Sequence, residues 1–321
     1  MKRPPWAFRV LTPTAPGGVA VIRIEGDLNE FFHGSGVAIV PPERRGIRLL
    51  ADLDRGLVCR WNATVLDLMP HGGVLVVRAV ADWLIALGGP QSALSEAGRW
   101  PEANDAVDAH MLDALARAAS PGAVPLLLRQ PALWRGGGVS SPLRDAVLNQ
   151  LIEPPLIAAI GPPNVGKSSL LNALAGRTVA IAADEPGTTR DHVGVLLDLG
   201  GLVVRYCDTP GIRADTSRDE REAIDRAMAV ARAANLVLNC GDHTADPIAT
   251  TALSKLLGAP GQATLTIATR SDLGRQTFLA DHSASVRETE SITALAQLLR
   301  ETLVPASLEQ SETPWRFWTE P

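Results

Sequence analysis

Cysteine is scarce in this chain of 321 residues, which limits what could hold the fold together. The three cysteines are Cys59, Cys207 and Cys240, and no two of them have the CxxC spacing. We therefore expect neither a disulfide framework nor a zinc site of the common kind. The pattern fits a reducing compartment, so the sequence predicts a cytoplasmic protein.

Long apolar runs and a dominant sign of charge are also lacking. The most apolar stretch, GGVLVVRAVADWLIALGG, is interrupted by Arg78 and Asp82 and is too short and too polar to cross a bilayer. The N-terminus MKRPPWAFRV has basic residues with no apolar run behind them, so no signal peptide and no membrane partner are predicted. The net charge of −5 argues against a protein that binds polyanions through its overall charge, although it allows a local basic patch.

The first part of the chain, residues 1–89, has the pattern of a small α/β domain. GGVAVIRIEG at 17–26 alternates branched apolar residues with others, which is typical of a half-buried strand. Residues 46–59 are also rich in strand formers. Residues 74–88 carry apolar groups at helical spacing after the turn HGG.

The rest of the chain divides into three predicted segments. Residues 90–152 hold an Ala-rich helical run and the Gly/Pro-rich joint WRGGGVSSP, and they read as one or two helices with a linker. Residues 153–305 alternate short apolar strands with helices, which predicts a mostly parallel sheet with helices on both faces. The tail, 306–321, contains Trp315 and Trp318, which either anchor a partner or pack on the chain's own surface.

The stretch IGPPNVGKSSL follows the strand segment LIAAI and opens a helix. It fits the pattern GxxxxGK[ST] with Gly161, Gly166, Lys167 and Ser168. Glycines let backbone N–H groups turn toward an anion, and the N-terminus of the following helix adds partial positive charge. Lys167 would reach the terminal phosphates, and the Ser168 hydroxyl would ligate Mg²⁺. An ordinary strand-to-helix turn is the alternative, but this context favours a nucleotide-binding loop.

A second segment bears on which base is bound. Guanine presents its N1–H and its exocyclic amine side by side, and one carboxylate can accept both. The sequence TRSD, which follows the strand segment ATLTIA, is close to the guanine-specificity pattern NKxD. Asp272 is in place, Thr269 replaces the Asn as a weaker tie to the phosphate loop, and Arg270 replaces the Lys and can lay its stem over the base. Taken alone, TRSD could also be a plain polar turn after a strand.

Further segments complete the order expected of a small GTPase. DEPGTTRD at 184–191 is predicted to be a switch I loop, whose Thr189 would close on Mg²⁺. DTPG at 208–211 matches DxxG, in which Asp208 holds the metal through water and the Gly211 N–H senses the γ-phosphate.

From Lys167 the intervals are 22 residues to Thr189, 41 to Asp208 and 105 to Asp272. The weakest match is to the last motif of the order, Ser-Ala-Lys (SAK), whose position is taken here by Ser285, Val286 and Arg287. The order predicts that the chain binds GTP and GDP and hydrolyses GTP.

These motifs support a resemblance to a known family. PNVGKSSLLNAL, GTTRD and DTPGIR together resemble the bacterial TrmE–Era–EngA group of P-loop GTPases. In the first region, TAPGGVAVIRIEG and the later HGG resemble the tRNA modification GTPase MnmE (TrmE) family, and EANDAVDAHMLDALARA resembles the start of its helical domain. The resemblance implies an α/β fold: a P-loop GTPase domain with a small N-terminal α/β domain and a reduced helical segment.

The resemblance also implies roles for further residues. Val165 and Ser169 belong to the nucleotide-binding loop, and Asn164 ahead of GKS would help to bind K⁺ while two G domains pair transiently. Glu220, twelve residues after Asp208, would orient or activate the attacking water. A turn-shaping role for Asn164 and a solvated helix position for Glu220 are the alternatives.

The sequence departs from the family in places. The family ends in a CxGK motif that takes part in uridine chemistry, whereas here no cysteine follows Cys240. The family's folate-site sequence before HGG is replaced here by NATVLDLM, so no folate-binding residue is assigned. The chain resembles a shortened, divergent member. Two functions stay open: a GTPase serving wobble-uridine modification of tRNA with an FAD-containing partner protein, or an Era/EngA-type switch acting in ribosome assembly or on another partner.

Overall fold

The computed structural model describes residues 5–13, 15–91, 99–176, 180–181, 194–211, 218–249 and 262–318. The chain divides into two compact units, Met1–Ala109 and His110–Pro321. Each unit is described by itself below. The finer predicted division at residues 89, 152 and 305 stays a prediction.

The first unit is built on a five-stranded antiparallel sheet in the order β1-β2-β5-β4-β3. Its described residues also form the helices α1 (Leu28–Ser35) and α2 (Val74–Ala86). Alternate strand residues, including Ile24 and Leu66, form a buried core with residues of both helices. The strands are β1 (Trp6–Val10), β2 (Ile22–Gly26), β3 (Arg44–Leu50), β4 (Asp54–Arg60) and β5 (Val65–Met69).

The predicted helix over 74–88 and the strands over 46–59 are present, but the predicted strand over 17–26 is only half right. The strand begins at Ile22, and residues 17–21 form a loop against HGG. The Gly17 N–H donates to Gly72 O at 3.1 Å, and a Cβ at Gly72 would lie 2.5 Å from Gly17 O. The two glycine pairs therefore approach each other backbone to backbone. The pairing of β2 with β5 continues in register as a single bridge between Val19 and His71, but the ladder is interrupted at Pro70, which has no N–H to donate.

The second unit contains a seven-stranded sheet in the order β12-β11-β10-β6-β9-β8-β7. Five neighbouring strands run parallel, and β8 and β7 are antiparallel additions at one edge. The strands are β6 (Leu156–Ile160), β7 (Ala180–Ile181), β8 (Val195–Asp198), β9 (Val203–Asp208), β10 (Leu236–Gly241), β11 (Ala263–Thr269) and β12 (His282–Ala284). The predicted hairpin turn at Gly200 and Gly201 is confirmed, with Leu199 N–H donating to Leu202 O at 2.8 Å.

Helices cover both faces of this sheet, as predicted. Ile157 and Ala159 of β6 pack on the side of α6 and α8, and Ala158 and Ile160 pack on the side of α7. This alternation follows from the period of two in a strand that is buried on both faces. These helices are α6 (Lys167–Ala175), α7 (Arg218–Ala233) and α8 (Thr289–Leu303), and the short α9 (Ala306–Glu309) follows.

The helical segment before the sheet shares its core. It contains α3 (Ala106–Arg117), which crosses from the first unit, α4 (Ala123–Arg135) and α5 (Pro142–Leu148). Buried residues of α4 and α5 belong to the same apolar cluster as β8 and β9. The Gly122 N–H donates to Gly201 O at 2.9 Å, so the turn before α4 also contacts the tip of the β8–β9 hairpin.

The tail packs on the chain's own helices, which decides between the two expectations for its tryptophans. Trp315 is 0% exposed. Its backbone N–H donates to the Gln130 side chain at 2.6 Å, and its indole Nε1 donates to Asn149 Oδ1 at 3.0 Å. Trp318 stacks on the His110 ring with centroids 4.8 Å apart.

All three cysteines are free, and Cys207 and Cys240 are buried. Within the described ranges, none of the helices has the length and apolar character needed to cross a membrane.

Candidate functional site

The phosphate loop joins β6 to α6 and depends on two glycines. Gly161 has φ +140°, and a Cβ there would lie 2.2 Å from Cys240 O. Gly166 has φ +98° and precedes the first residue of α6. Both positions require glycine, because an L side chain would be strained at these angles or would collide with β10. The loop can therefore lie tightly against the end of β10.

Lys167 begins α6 and folds over this loop. Its Nζ donates to Gly161 O at 3.2 Å and to Pro162 O at 2.8 Å. Burial lowers the pKa of Lys167, although the neighbouring Asp208 acts in the opposite direction. The ammonium and the N–H groups of the first turn of α6 present positive charge at one point, which suits a phosphate group.

The next residue of α6 contacts the end of β9. The Ser168 hydroxyl donates to Oδ2 of Asp208. Oδ1 of Asp208 is buried and has no hydrogen-bond partner in the described part of the chain. A hydroxyl beside a carboxyl group with a spare buried oxygen is a donor set that fits Mg²⁺.

Gly211 lies directly against the phosphate loop. A Cβ on Gly211 would be 2.4 Å from Pro163 Cα, so a side chain cannot be accommodated there. Nearby, the Thr209 hydroxyl donates to Ala159 O at 2.7 Å and fixes the start of this segment to β6. The structure thus brings DTPG and the phosphate loop together at one edge of the sheet.

A cavity of about 410 Å³ opens over this arrangement. Asn164 lies on its rim, exposed and with φ +62°. The lining residues are Pro163, Asn164, Gly166, Lys167, Ser168, Ser169, Asp208, Thr209, Pro210 and Gly211.

A second cavity, of about 150 Å³, shares Gly166 and Ser169 with the first. The other lining residues are Leu170, Thr269, Arg270, Asp272, Leu273, Ala284, Val286 and Arg287. The larger cavity has the charges for phosphates, and the smaller one contains the predicted base-reading residues. The two cavities therefore adjoin along a common wall.

Thr269 connects β11 to the phosphate loop. Its hydroxyl contacts the carbonyl oxygen of Val165 and also lies 2.9 Å from Gly241 O. A hydroxyl carries one hydrogen, so it can donate fully to only one of these two carbonyls. The amide of an Asn has two hydrogens, so the Thr is the weaker tie.

Asp272 faces the smaller cavity together with the segment Ser285–Arg287. The Ser285 hydroxyl donates to Asp272 Oδ1 at 2.8 Å, and Arg287 Nη1 lies 3.2 Å from Oδ2. The hydrogen bond from Ser285, and to a smaller extent the charge of Arg287, lower the pKa of Asp272. The side chain is therefore an ionised acceptor at neutral pH, as guanine recognition requires.

Arg270 has a partner that sequence reasoning missed. Arg270 Nη1 lies 3.2 Å from Oδ2 of Asp242, whose side chain is 0% exposed. Asp242 directly follows β10, at the carboxyl edge of a parallel sheet where ligand sites form. That position was the available signal, but a single Asp after a strand matches no motif.

Two predicted residues are not placed at the site. Thr189 lies outside the described residues. Glu220 lies in the first turn of α7, and its side chain is outside the described part of the structure.

Comparison with known proteins agrees with this geometry. The model of a family described as 50S ribosome-binding GTPase matches residues 156–269. Among curated proteins, the tRNA modification GTPase MnmE of Acidiphilium cryptum is 36% identical over 250 residues, which cover 74% of this chain and 52% of that protein. The MnmE of Granulibacter bethesdensis is 30% identical over 330 residues, which cover 83% of this chain and 74% of that protein. The MnmE of Azorhizobium caulinodans is 32% identical over 304 residues, with coverages of 75% and 70%.

The chain thus spans about half the length of the first of these relatives and about three-quarters of the second. The predicted fold class is confirmed, and the chain is a P-loop GTPase. Because the likeness to full-length relatives extends well beyond residues 156–269, the resemblance seen in the motifs is confirmed: the chain belongs to the tRNA modification GTPase MnmE family.

Proposed function

We propose that this protein hydrolyses GTP in the cytoplasm as part of wobble-uridine modification of tRNA, together with an FAD-containing partner protein. The observation that carries the proposal is the extent of the likeness. The MnmE of Granulibacter bethesdensis aligns with 83% of this chain, so the alignment extends from the GTPase domain into the first unit. In this proposal tRNA is reached through the complex with the partner protein.

The nucleotide would span the two adjoining cavities. Lys167 and the N–H groups of Val165, Gly166, Ser168 and Ser169 would hold the phosphates. Ser168 and Asp208 would hold Mg²⁺, which when bound neutralises charge on the β- and γ-phosphate oxygens. The support for this assignment is the Ser168–Asp208 contact and the spare oxygen of Asp208.

The hydrolytic step would depend on residues around the γ-phosphate. The Gly211 N–H would donate to it, Thr189 would close over it, and Glu220 would orient the attacking water. Asn164 would contribute an amide oxygen to a K⁺ site, supplying positive charge where other GTPases use an arginine. Transient pairing of two G domains would accompany this closure. Folate is not proposed as a ligand, because the amino-acid sequence before HGG differs from that of the family.

Base selectivity tests the nucleotide part of the proposal. Asp272 would accept the N1–H and the amine of guanine, whereas adenine offers neither hydrogen at this edge. Asp272→Asn should shift preference toward xanthine nucleotides, because the amide can donate to the 2-oxo group. The measurement is competition of GDP, ADP and XDP for the purified protein. If ADP competed as well as GDP with the wild type, the base assignment would be refuted.

Wobble modification in a deletion strain tests the wider proposal. Total tRNA from the strain, digested to nucleosides and analysed by mass spectrometry, should lack the modified uridine. Expression of the wild type should restore it, and expression of Lys167→Ala at equal level should not. Full modification in the deletion strain, in the absence of another MnmE gene, would contradict the proposal.

A ribosome-linked switch is the second candidate, and the description of the matched family model favours it. In that case the deletion strain would keep its wobble modification. Instead, sucrose gradients of its lysate should show an excess of free subunits over 70S ribosomes. The same two complementing variants would separate the effect of GTP binding from that of the protein's presence.

A further inference from the structure

Asp242 is an unusually constrained acidic residue beside the base cavity. It is 1% exposed and follows the last residue of β10. Its backbone N–H donates to Ala245 O at 2.9 Å, which closes a tight turn. Oδ1 accepts from Thr244 N at 2.8 Å, Thr244 Oγ1 at 2.7 Å and Ala245 N at 3.1 Å.

The turn thus saturates Oδ1 and leaves Oδ2 for one outside partner, which is Arg270 at 3.2 Å. Burial acts to raise the pKa of Asp242, but the hydrogen bonds from Thr244 and Ala245 and the charge of Arg270 lower it overall. The carboxylate is therefore ionised at neutral pH, and its contact with the guanidinium is charge-assisted.

The contact with Asp242 restricts where the Arg270 side chain can lie. It has φ +53°, and its side chain is 39% exposed at the wall of the smaller cavity. Its stem runs beside the phosphate loop, where a Cβ on Gly166 would lie 3.7 Å from Arg270 Cγ and 3.5 Å from Nε. A free arginine side chain loses rotamer entropy when it is ordered. Ordering it before the nucleotide arrives removes that loss from the binding step.

We propose that Asp242 is a positioning residue of the guanine site, which holds Arg270 in place as a preformed wall for the face of the purine. The inference rests on the proposed base site and deepens it. Asp272 reads the edge of the base, whereas Asp242 acts on the face through Arg270. The face of a purine is much the same in guanine and hypoxanthine, so Asp242 contributes affinity and Asp272 contributes selectivity.

This division of roles gives a distinctive signature. Hypoxanthine lacks the exocyclic amine that Asp272 would accept, so the ratio of GDP to IDP affinity reports on edge reading. Asp242→Asn should weaken GDP and IDP by the same factor, about three- to tenfold, and leave their ratio unchanged. Asp272→Asn should instead change the ratio. When the rate of hydrolysis is measured over a range of GTP concentrations, Asp242→Asn should raise KM and leave kcat unchanged, because the phosphate end is untouched.

The experiment is calorimetric titration of GDP and IDP into the full chain. The variants are Asp242→Asn, Arg270→Ala, their combination, Asp272→Asn and the control Asp246→Asn. Asp246 lies four residues further on and accepts from Thr277 at 2.7 Å rather than from Arg270. If Asp242 acts through Arg270, the double variant should bind no more weakly than Arg270→Ala alone. Asp246→Asn should bind GDP and IDP as tightly as the wild type, because its partner is Thr277 and the pair does not touch the site.

Three results would overturn the proposal: wild-type affinity in Asp242→Asn, additive losses in the double variant, or a changed GDP to IDP ratio in Asp242→Asn. If Asp242→Asn does not fold, Thr244→Ala replaces it, because it removes one bond to Oδ1 and leaves the ion pair. A loss of about twofold with an unchanged ratio is then expected, and an unchanged affinity contradicts the proposal. If Asp272→Asn leaves the ratio unchanged, the base site itself is wrongly assigned. If Asp272→Asn changes the ratio as expected but Asp242→Asn gives one of the three contrary results, only the positioning role of Asp242 is refuted.

Discussion

Lys167 shows how much of this site depends on single residues. Its ammonium donates to two carbonyl oxygens of its own loop, at 3.2 and 2.8 Å, and so helps to fix the shape of the loop. The same group would then donate to the terminal phosphates. Removing it affects both the shape of the loop and the charge that the phosphates meet.

Lys167→Ala should therefore weaken GDP and GTP binding by on the order of 100-fold, because each hydrogen bond to a charged group contributes roughly 1.5–3 kcal/mol. Calorimetric titration measures this. Arg275→Ala is the matched control, since it removes an exposed cation from the same unit. Unchanged affinity in Lys167→Ala would refute the phosphate-loop assignment.

Glu220 is a residue whose role rests on the family alone. It lies in the first turn of α7, twelve residues after Asp208. If it orients the attacking water, Glu220→Ala should lower kcat by about 100-fold or more, as is typical for loss of a general base, and leave GTP affinity unchanged. Single-turnover hydrolysis with saturating enzyme separates the two quantities. Asp225→Ala, on the same helix, is the control. Equal loss of binding and hydrolysis, or loss of neither, counts against the role.

The tail is the element for which the structure adds most to what the sequence predicts. Trp315 is fully buried, and its carbonyl oxygen accepts from Trp134 Nε1 at 3.1 Å. Arg144 reaches the tail as well, donating to Leu308 O at 3.0 Å and to Pro314 O at 3.2 Å. One short segment thus ties α4 and α5 to the end of the chain.

Trp315→Ala should destabilise this region by about 3–5 kcal/mol, because it leaves a large cavity and removes the indole N–H that pairs with Asn149 Oδ1. Hydrogen exchange followed by mass spectrometry should show faster exchange in α4 and α5. Leu279→Ala, at a side chain that is 97% exposed, should leave exchange unchanged. Protection of α4 and α5 equal to that of the wild type would show that the tail does not stabilise them.

Sequence reasoning found the elements with strong periodicity and missed those without it. The alternation of strands and helices over 153–305 and the glycine hairpin at 200–201 were predictable, because each follows from a local pattern. The one or two helices predicted over 90–152 were too few, because the described residues there contain α3, α4 and α5. Helix α4 is hard to predict, since Pro131 lies inside it and proline normally ends a helix. Its stability comes from burial of residues such as Leu127, which is a tertiary effect.

The candidate site divides in the same way. Gly161, Lys167, Asp208 and Asp272 belong to motifs, so their spacing was enough to predict that they meet. Asp242 has no motif, and its role depends on the pairing of β10 with β11, which places Asp242 beside the residues that follow Thr269. Contacts of this kind arise from the sheet order and are not visible in the chain alone.

At the scale of the whole molecule, hydrolysis requires positive charge beside the β/γ-bridge, where negative charge develops. Lys167 is one source, and a second would come from K⁺ bound near Asn164 when two G domains pair. Asn164 is exposed on the rim of the larger cavity with φ +62°, a position from which its amide oxygen is available to a cation. Amide and carbonyl oxygens are hard ligands that suit alkali ions.

We therefore expect hydrolysis to be faster in KCl than in NaCl at equal ionic strength, by about tenfold or more if the cation replaces an arginine in the transition state. The rate per molecule should also rise with protein concentration, because the active species is a pair. Asn164→Ala should lose the difference between the two salts while keeping its affinity for GDP. If Asn164 only shapes the turn, the variant should instead lose stability or nucleotide affinity and keep its response to K⁺. Equal wild-type rates in the two salts would show that this G domain supplies the second charge in another way.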